Sequence, residues 1–317
     1  MADFRELWGA TGQGMIFDKS ARLLIDNMGW VDRGALWIYD LAKHKEKRIG
    51  IDGAKFLGLQ AGEHGFFRAV HGESPDRAIS VRRIAEPEIE LTSVRFHDDE
   101  PVFVGEMELW KLVDSAAIVS TGTGQQLLRI DAAHGQVSNL DLSWFTNANY
   151  DLGYQQLVGC LTLPRSHLVV VSVQRSSRLI VIDAEKNRAV AQVMLANRSG
   201  NPTIQIRSAS DLLASDYDTL CRVDIETMSI VATKQLQSTS APNTRLFIGN
   251  YDLNPNGTCV VARPHSGDVL LVDSEGFEAL SSAPTEGQPL SVCMVSETRV
   301  VTRDWKTGRV CETEFSI

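Results

Sequence analysis

The sequence predicts an all-β chain folded as a single seven-bladed β-propeller of four-stranded antiparallel blades. Three observations predict it. Short apolar, β-branched runs alternate with polar turns along the whole chain. One such run, ending on an acidic residue in six of its seven copies, returns at a near-constant period. No segment sustains helical periodicity.

The repeating unit is clearest in the middle of the chain. The runs 168–173, 179–183 and 189–195 are separated by the polar turns 174–177 and 184–187. Aligning the run that closes on Asp183 with its counterparts gives 35–40, 78–83, 126–131, 178–183, 219–224, 268–273 and 309–314. The register positions are Asp40, Arg83, Asp131, Asp183, Asp224, Asp273 and Glu314, with steps of 43, 48, 52, 41, 49 and 41 residues. A four-stranded blade uses roughly 40–50 residues, so the period selects a propeller over a sandwich. Seven such units fill residues 1–317 and leave no room for a second domain.

A further apolar run precedes each marked one, at 22–26, 66–70, 116–120, 168–173, 211–215, 259–262 and 299–302. The marked run is therefore third in its blade. Asn256-Gly257 is a tight-hairpin signal between strands. The stretch from Trp37 to Arg48 is broken by a turn at 41–44 and reads as two strands. The seventh marked run ends three residues before the last residue, so its blade lacks an outer strand. Residues 2–8, with Phe4, Leu7 and Trp8, are expected to supply that strand and close the ring, removing an open edge.

The stretch Asn254-Pro-Asn-Gly-Thr-Cys-Val-Val-Ala262, followed by Asp268-Val-Leu-Leu-Val-Asp273, resembles the YVTN/WD40-like propeller repeat, and so does 168–195. The resemblance is strongest in the fourth to sixth repeats. It is weakest in the second, where Arg83 replaces the strand-end aspartate. The Trp-Asp ending and Gly-His start of WD40 repeats proper are absent. It implies a fold and almost nothing about function.

Charge narrows the partners. Lys and Arg number 31 against 40 Asp and Glu, a net charge of −9 and a pI near 5.3. Nucleic acid and anionic membranes need a dense basic face, so neither is an expected partner. The longest basic run, Lys43-His-Lys-Glu-Lys-Arg48, reads as a solvated turn and strand edge. No apolar leader and no apolar run of membrane-spanning length is present, and the five scattered cysteines lie inside strand-like runs. A cytoplasmic protein with reduced, buried thiols is the expectation.

The loops between second and third strands share a rim with the blade-to-blade connections. There lie the candidate ligand-binding residues Asp32, Arg33, His71, Arg175, Tyr217, Asp218, Arg263, His265, Asp304 and Trp305. Arginines recur at 175, 263 and 303, and a ring of guanidiniums would clamp a carboxylate or phosphate. Trp30, Tyr217 and Trp305 would stack on a sugar, base or proline-rich peptide. The plainer account is solvated hairpin tips with Arg–Asp pairs between neighbouring blades. No cofactor is expected. The clusters His97-Asp-Asp-Glu100, Asn147-Ala-Asn-Tyr-Asp151 and Asn250-Tyr-Asp252 would suit Ca²⁺ if they converged. His97 with Asp99, or His71 with Glu73, would make an acid–base pair. No nucleophile elbow, phosphate-binding loop or dinucleotide fingerprint is present. The reading is a non-catalytic binding or scaffolding module for a protein partner or anionic small ligand. The alternative is a hydrolase or lyase at the mouth of the central channel, using a divalent cation.

Overall fold

A computed structural model describes residues 15–18, 23–26, 35–51, 54–60, 66–73, 76–83, 90–97, 109–110, 116–120, 127–131, 136–139, 157–163, 166, 168–173, 177–183, 185–186, 188–195, 203–236, 247–254, 256–304 and 306–316, with side chains chiefly from 35–51 and from 161 onward. The described residues form seven antiparallel sheets in chain order. The first contains β1 (Met15–Asp18), β2 (Leu23–Asp26), β3 (Ala35–Asp40) and β4 (Lys45–Gly50). The second contains β5 (Ala54–Gln60), β6 (Phe66–Glu73), β7 (Asp76–Arg83) and β8 (Glu90–His97). The third contains β9 (Leu109–Trp110), β10 (Ala116–Ser120), β11 (Leu127–Asp131) and β12 (Gln136–Asn139). The fourth contains β13 (Leu157–Thr162), β14 (Leu168–Val173), β15 (Arg178–Asp183) and β16 (Arg188–Met194). The fifth contains β17 (Thr203–Ile206), β18 (Asp211–Asp216), β19 (Thr219–Asp224) and β20 (Ser229–Gln235). The sixth contains β21 (Tyr251–Leu253), β22 (Thr258–Arg263), β23 (Asp268–Asp273) and β24 (Ala279–Pro284). The seventh contains β25 (Pro289–Met294), β26 (Arg299–Asp304) and β27 (Val310–Glu314).

Every marked run is the third strand of its sheet, and Asp40, Arg83, Asp131, Asp183, Asp224, Asp273 and Glu314 each close one. Central strands read as unbroken apolar runs because both of their faces are covered. On β23, Leu270 and Val272 pack with Leu213, Leu220 and Tyr251 on the side of the fifth sheet. The alternate residues Val269 and Leu271 pack with Val292 and Val300 of the seventh. Leu179 and Val181 of β15 meet Ile204, Leu212 and Val223 of the fifth sheet in the same way. Each such side chain contributes about 1.5–3 kcal/mol by leaving water. The outer strands alternate instead: along β20, exposed and half-buried positions succeed one another.

The first and last sheets also pack together. Trp37 and Leu41 are buried against Cys293 and Val301, and β1 lies beside β25. Residues 2–8 and the strand they are expected to add lie outside the described residues. Gly249, just before β21, passes so close to the next sheet that a Cβ there would sit 2.5 Å from the Leu290 carbonyl oxygen.

Two expectations shift. The loop read at 71–77 is mostly strand, since the β6–β7 ladder runs out to Glu73↔Asp76 and pairs His71 with Ala78. Asp216, Arg263, Arg303 and Asp304 likewise sit on strands rather than in loops. Polar side chains mark the hairpin tips, but the backbone ladder does not stop at the first polar residue. Asn256-Gly257 does form the turn it signals: Gly257 has φ +90°, and its amide donates to the Asn254 carbonyl at 3.0 Å.

Cys221, Cys259, Cys293 and Cys311 are free thiols, the first three buried. Burial pushes the Cys259 thiol well above the usual range, reinforced by Asp252. Among the described residues no helix is long and apolar enough to cross a membrane, a statement that does not extend to strands.

Candidate functional site

Antiparallel order within the sheets sends the first-to-second and third-to-fourth hairpins to one rim, here the lower. The second-to-third hairpins and the sheet-to-sheet connections go to the upper rim. The strand-end aspartates that define the repeat sit at the lower rim, and their work is local. Asp40 Oδ1 accepts from the amides of Ala42 and Lys43, both at 3.0 Å. Asp183 Oδ1 accepts from the Lys186 amide at 3.0 Å, and Asp224 Oδ1 from the Thr227 amide at 2.6 Å. Asp273 takes the amides of Glu275, Gly276 and Glu278 at 2.9, 2.7 and 2.6 Å. Each carboxylate folds the next hairpin onto itself. Four residues on, His44, Met228 and Phe277 adopt φ of 48°, 50° and 61°, completing the same turn. The repeated aspartate is thus a turn former.

The upper rim holds the candidate ligand-binding residues. Asp32, Arg33, Arg175 and Trp305 lie outside the described residues, as do Trp30, Asp98–Glu100 and 147–151, and of His71 only the backbone is described. Tyr217, Asp218, Arg263, His265 and Asp304 are described. They occupy the hairpins of the fifth, sixth and seventh sheets.

Most of them are engaged by neighbours. Asp304 Oδ1 accepts from the amides of Lys306 and Thr307 at 2.9 and 2.6 Å and from the Thr307 hydroxyl at 2.8 Å. Its Oδ2 accepts from the Gln288 amide at 2.5 Å. Four donors fill the lone-pair sites of one carboxylate. Burial works to raise its pKa, but these donors outweigh it and hold the group below the usual carboxylate range. Gly287 makes room for the arrangement: at φ +116°, its Cβ would lie 2.4 Å from Asp304 Oδ2. Arg263, buried at the end of β22, donates through Nε to Asp268 Oδ1 at 2.8 Å and through Nη2 to Asp268 Oδ2. That is a bidentate fork within one hairpin. Arg303 lies over the Trp37 ring, its Cζ 5.2 Å from the centroid. The recurring arginines at 263 and 303 therefore serve a hairpin and a seam between sheets.

Asp218 is buried, accepting from the Thr219 hydroxyl at 3.1 Å and from Gln235 Nε2 at 2.8 Å. Tyr217 beside it is half-exposed at φ 59°, and its carbonyl accepts from the Ile248 amide at 2.6 Å. His265 is at an exposed tip, edge-on to Phe247 with ring centroids 4.8 Å apart. Partial burial, and then the charge of Lys306, lower its pKa and favour the neutral imidazole. Lys306 itself is exposed at the neighbouring tip.

Sequence reading did not foresee two hydrogen bonds that tie neighbouring sheets together, one at this rim and one lower in the channel wall. The hydroxyl of Ser177, at φ 48°, donates to Asp216 Oδ1 at 2.7 Å and so ties the fourth sheet to the fifth. Asp252 accepts from the Met294 amide at 2.7 Å across the two inner strands β21 and β25. Neither partner carries a sequence signal, because backbone amides and small hydroxyls look alike everywhere. Among the described residues no three His, Cys, Asp or Glu side chains group as a metal site.

No protein-family model and no curated protein matches the chain. Solved structures do. The β-propeller domain of Cps50 (Swd1) from Myceliophteria thermophila superposes with a TM-score of 0.71 at 12% identity, over 97% of each chain. The fold is a β-propeller. A second similar structure is a chain of a mitotic checkpoint complex, with a TM-score of 0.66 at 8% identity, covering 97% of the propeller and 88% of that chain. At such identities the likeness speaks for fold alone. It agrees with the YVTN/WD40-like repeat read from 254–273.

Proposed function

We propose that this propeller is a non-catalytic binding or scaffolding module of seven blades in a single domain. Its upper rim receives a protein partner or an anionic small ligand, and residues 2–8 supply the outer strand of the last blade. The observation that carries the reading is the division of labour on the rim. Asp216, Asp218, Arg263 and Asp304 are held by groups of their own chain. The hairpin tips beside them carry His265 and Lys306, both exposed, and the partly buried Tyr217, side chains suited to contact and to anion attraction. One of the similar folds comes from a multiprotein complex, the setting this reading assigns to the chain. The free, buried thiols at 221, 259 and 293 support a reducing compartment, so we place it in the cytoplasm.

A thermal-shift panel of Ca²⁺, Mg²⁺, Zn²⁺, sugars, lactones and organic acids tests it, since a ligand bound only to the native state raises Tm by mass action. A shift with organic anions, lost in the His265→Ala/Lys306→Ala double variant, supports the anionic-ligand arm. A flat panel leaves a protein partner, whose capture should fail with Tyr217→Ala/His265→Ala. A divalent-cation shift lost in Asp252→Ala would overturn the reading in favour of a hydrolase or lyase at the channel mouth.

A further inference from the structure

The outermost strand of the first sheet, β4, reads Lys45-Glu-Lys-Arg-Ile-Gly50, and every residue from Ala42 to Arg48 is exposed. It pairs with β3 only, so among the described strands nothing covers its other backbone edge. Glu46 turns toward the seventh sheet, accepting from Trp37 Nε1 at 3.0 Å. Alternation then puts Lys45 and Lys47 together on the opposite face, about 6.6 Å apart along the strand. Lys43 is paired with Asp40 at 2.8 Å, whereas neither Lys45 nor Lys47 has a carboxylate partner among the described residues.

Lysines on an edge also guard against edge-to-edge aggregation. If that were their whole role here, the other exposed edges would carry them too. The outer strands β16 and β20 hold one cation each, Arg188 and Lys234, and β24 holds none. Lys234 is paired with Glu278 at 2.9 Å. Instead those strands expose Val190, Met194, Val231 and Leu280. The paired basic side chains of β4 are thus a local feature, on a chain whose net charge is −9.

We propose that the β4 edge is a docking surface, separate from the rim, for an extended acidic segment of a partner protein. The segment adds as a further strand and sets carboxylates at alternate positions opposite Lys45 and Lys47. The free backbone edge fixes its conformation, and the lysines select its charge. Because both lysines are solvated, binding is modest and falls with salt.

Fluorescence anisotropy of the full chain with a fluorescein-labelled octapeptide alternating Thr and Glu, at low salt, tests this. Binding is expected, at least tenfold weaker for the Gln-for-Glu peptide and for K45E/K47E, and unchanged for R188E. The exposed double variant should melt like the parent, so lost binding will not reflect lost folding. Four results would each overturn the proposal: no binding, equal binding by K45E/K47E, equal binding by a peptide N-methylated at every residue, or competition by single-stranded DNA as effective as by unlabelled peptide.

Discussion

Arg303 on the last sheet caps the Trp37 ring on the first, with 5.2 Å between the guanidinium carbon and the ring centroid. Trp37 also stacks on Tyr39 at 5.7 Å and packs with Leu41, Cys293 and Val301. Residues some 260 positions apart in sequence therefore share one seam. Trp37→Ala should cost about 3–5 kcal/mol, the usual range for a buried aromatic emptied to alanine. Arg303→Met keeps the apolar stem and should cost less, about 0.5–2 kcal/mol. Urea unfolding followed by fluorescence and circular dichroism measures both. Equal costs would deny the seam its aromatic centre.

Gly287 holds open the space that Asp304 fills. Its φ of +116° is one an L side chain rarely adopts, and an added Cβ would collide with the carboxylate. Gly287→Ala should therefore loosen the Gln288 amide from Asp304 and destabilise the seventh sheet by about 1–3 kcal/mol. Hydrogen exchange at Gln288, Lys306 and Thr307 is the measurement. Unchanged protection at those amides would mean that the carboxylate tolerates the methyl group.

The same carboxylates give the acid limb of stability a direction. Asp304 and Asp273 are both held below the ordinary range, burial being outweighed by donated amides. A depressed folded pKa contributes stability that is complete above the unfolded value of about 3.9 and lost as pH falls through the folded one. His265 acts in the same sense higher up: its neutral form is favoured in the fold, so stability should begin to fall below about pH 6.5. Melting temperature between pH 7 and 3 should drop in two stages. His265→Gln should remove the first stage and Asp304→Asn should shrink the second. A parent curve flat from pH 7 to 5 would contradict the assignment to His265.

What the sequence made legible was the period. Third strands ending at Asp40, Asp183, Asp224 and Asp273 are found where the register put them, because a strand buried on both faces must be apolar throughout and its turn needs a carboxylate. The rim was less legible. Arg263 and Asp304 look like ligand residues in a list, yet one is forked onto Asp268 and the other is filled by four donors. Their partners are a residue five positions on, and three backbone amides with one hydroxyl. Neither the bidentate geometry nor an amide has a letter in the sequence.

Val181 and Leu271 lie on central strands, each about 1% exposed and packed against a neighbouring sheet. An aspartate at either position would bury an unpaired charge, a cost of several kcal/mol that exceeds what one sheet-to-sheet contact returns. Val181→Asp and Leu271→Asp should fail to yield a cooperatively folded protein. Val190→Asp, on the exposed face of β16, should stay within about 0.5 kcal/mol of the parent. Soluble Val181→Asp protein with a parental circular dichroism spectrum would contradict the packing.

Deleting residues 1–10 tests the proposed closure of the propeller. The seventh sheet has three described strands, and β27 leaves one edge without a described partner. If residues 2–8 pair there, their loss exposes a row of backbone donors and acceptors and removes the apolar contacts of Phe4, Leu7 and Trp8. The face packing of Trp37 and Leu41 on Cys293 and Val301 would remain, so the truncated chain should still fold. It should melt several degrees lower and aggregate more readily through the β27 edge. Combining the deletion with Trp37→Ala should then cost more than the two separately, because strand and seam secure the same junction. A truncated protein with the parental melting temperature would place the closing strand elsewhere, and strictly additive costs would mean that strand and seam act at different junctions.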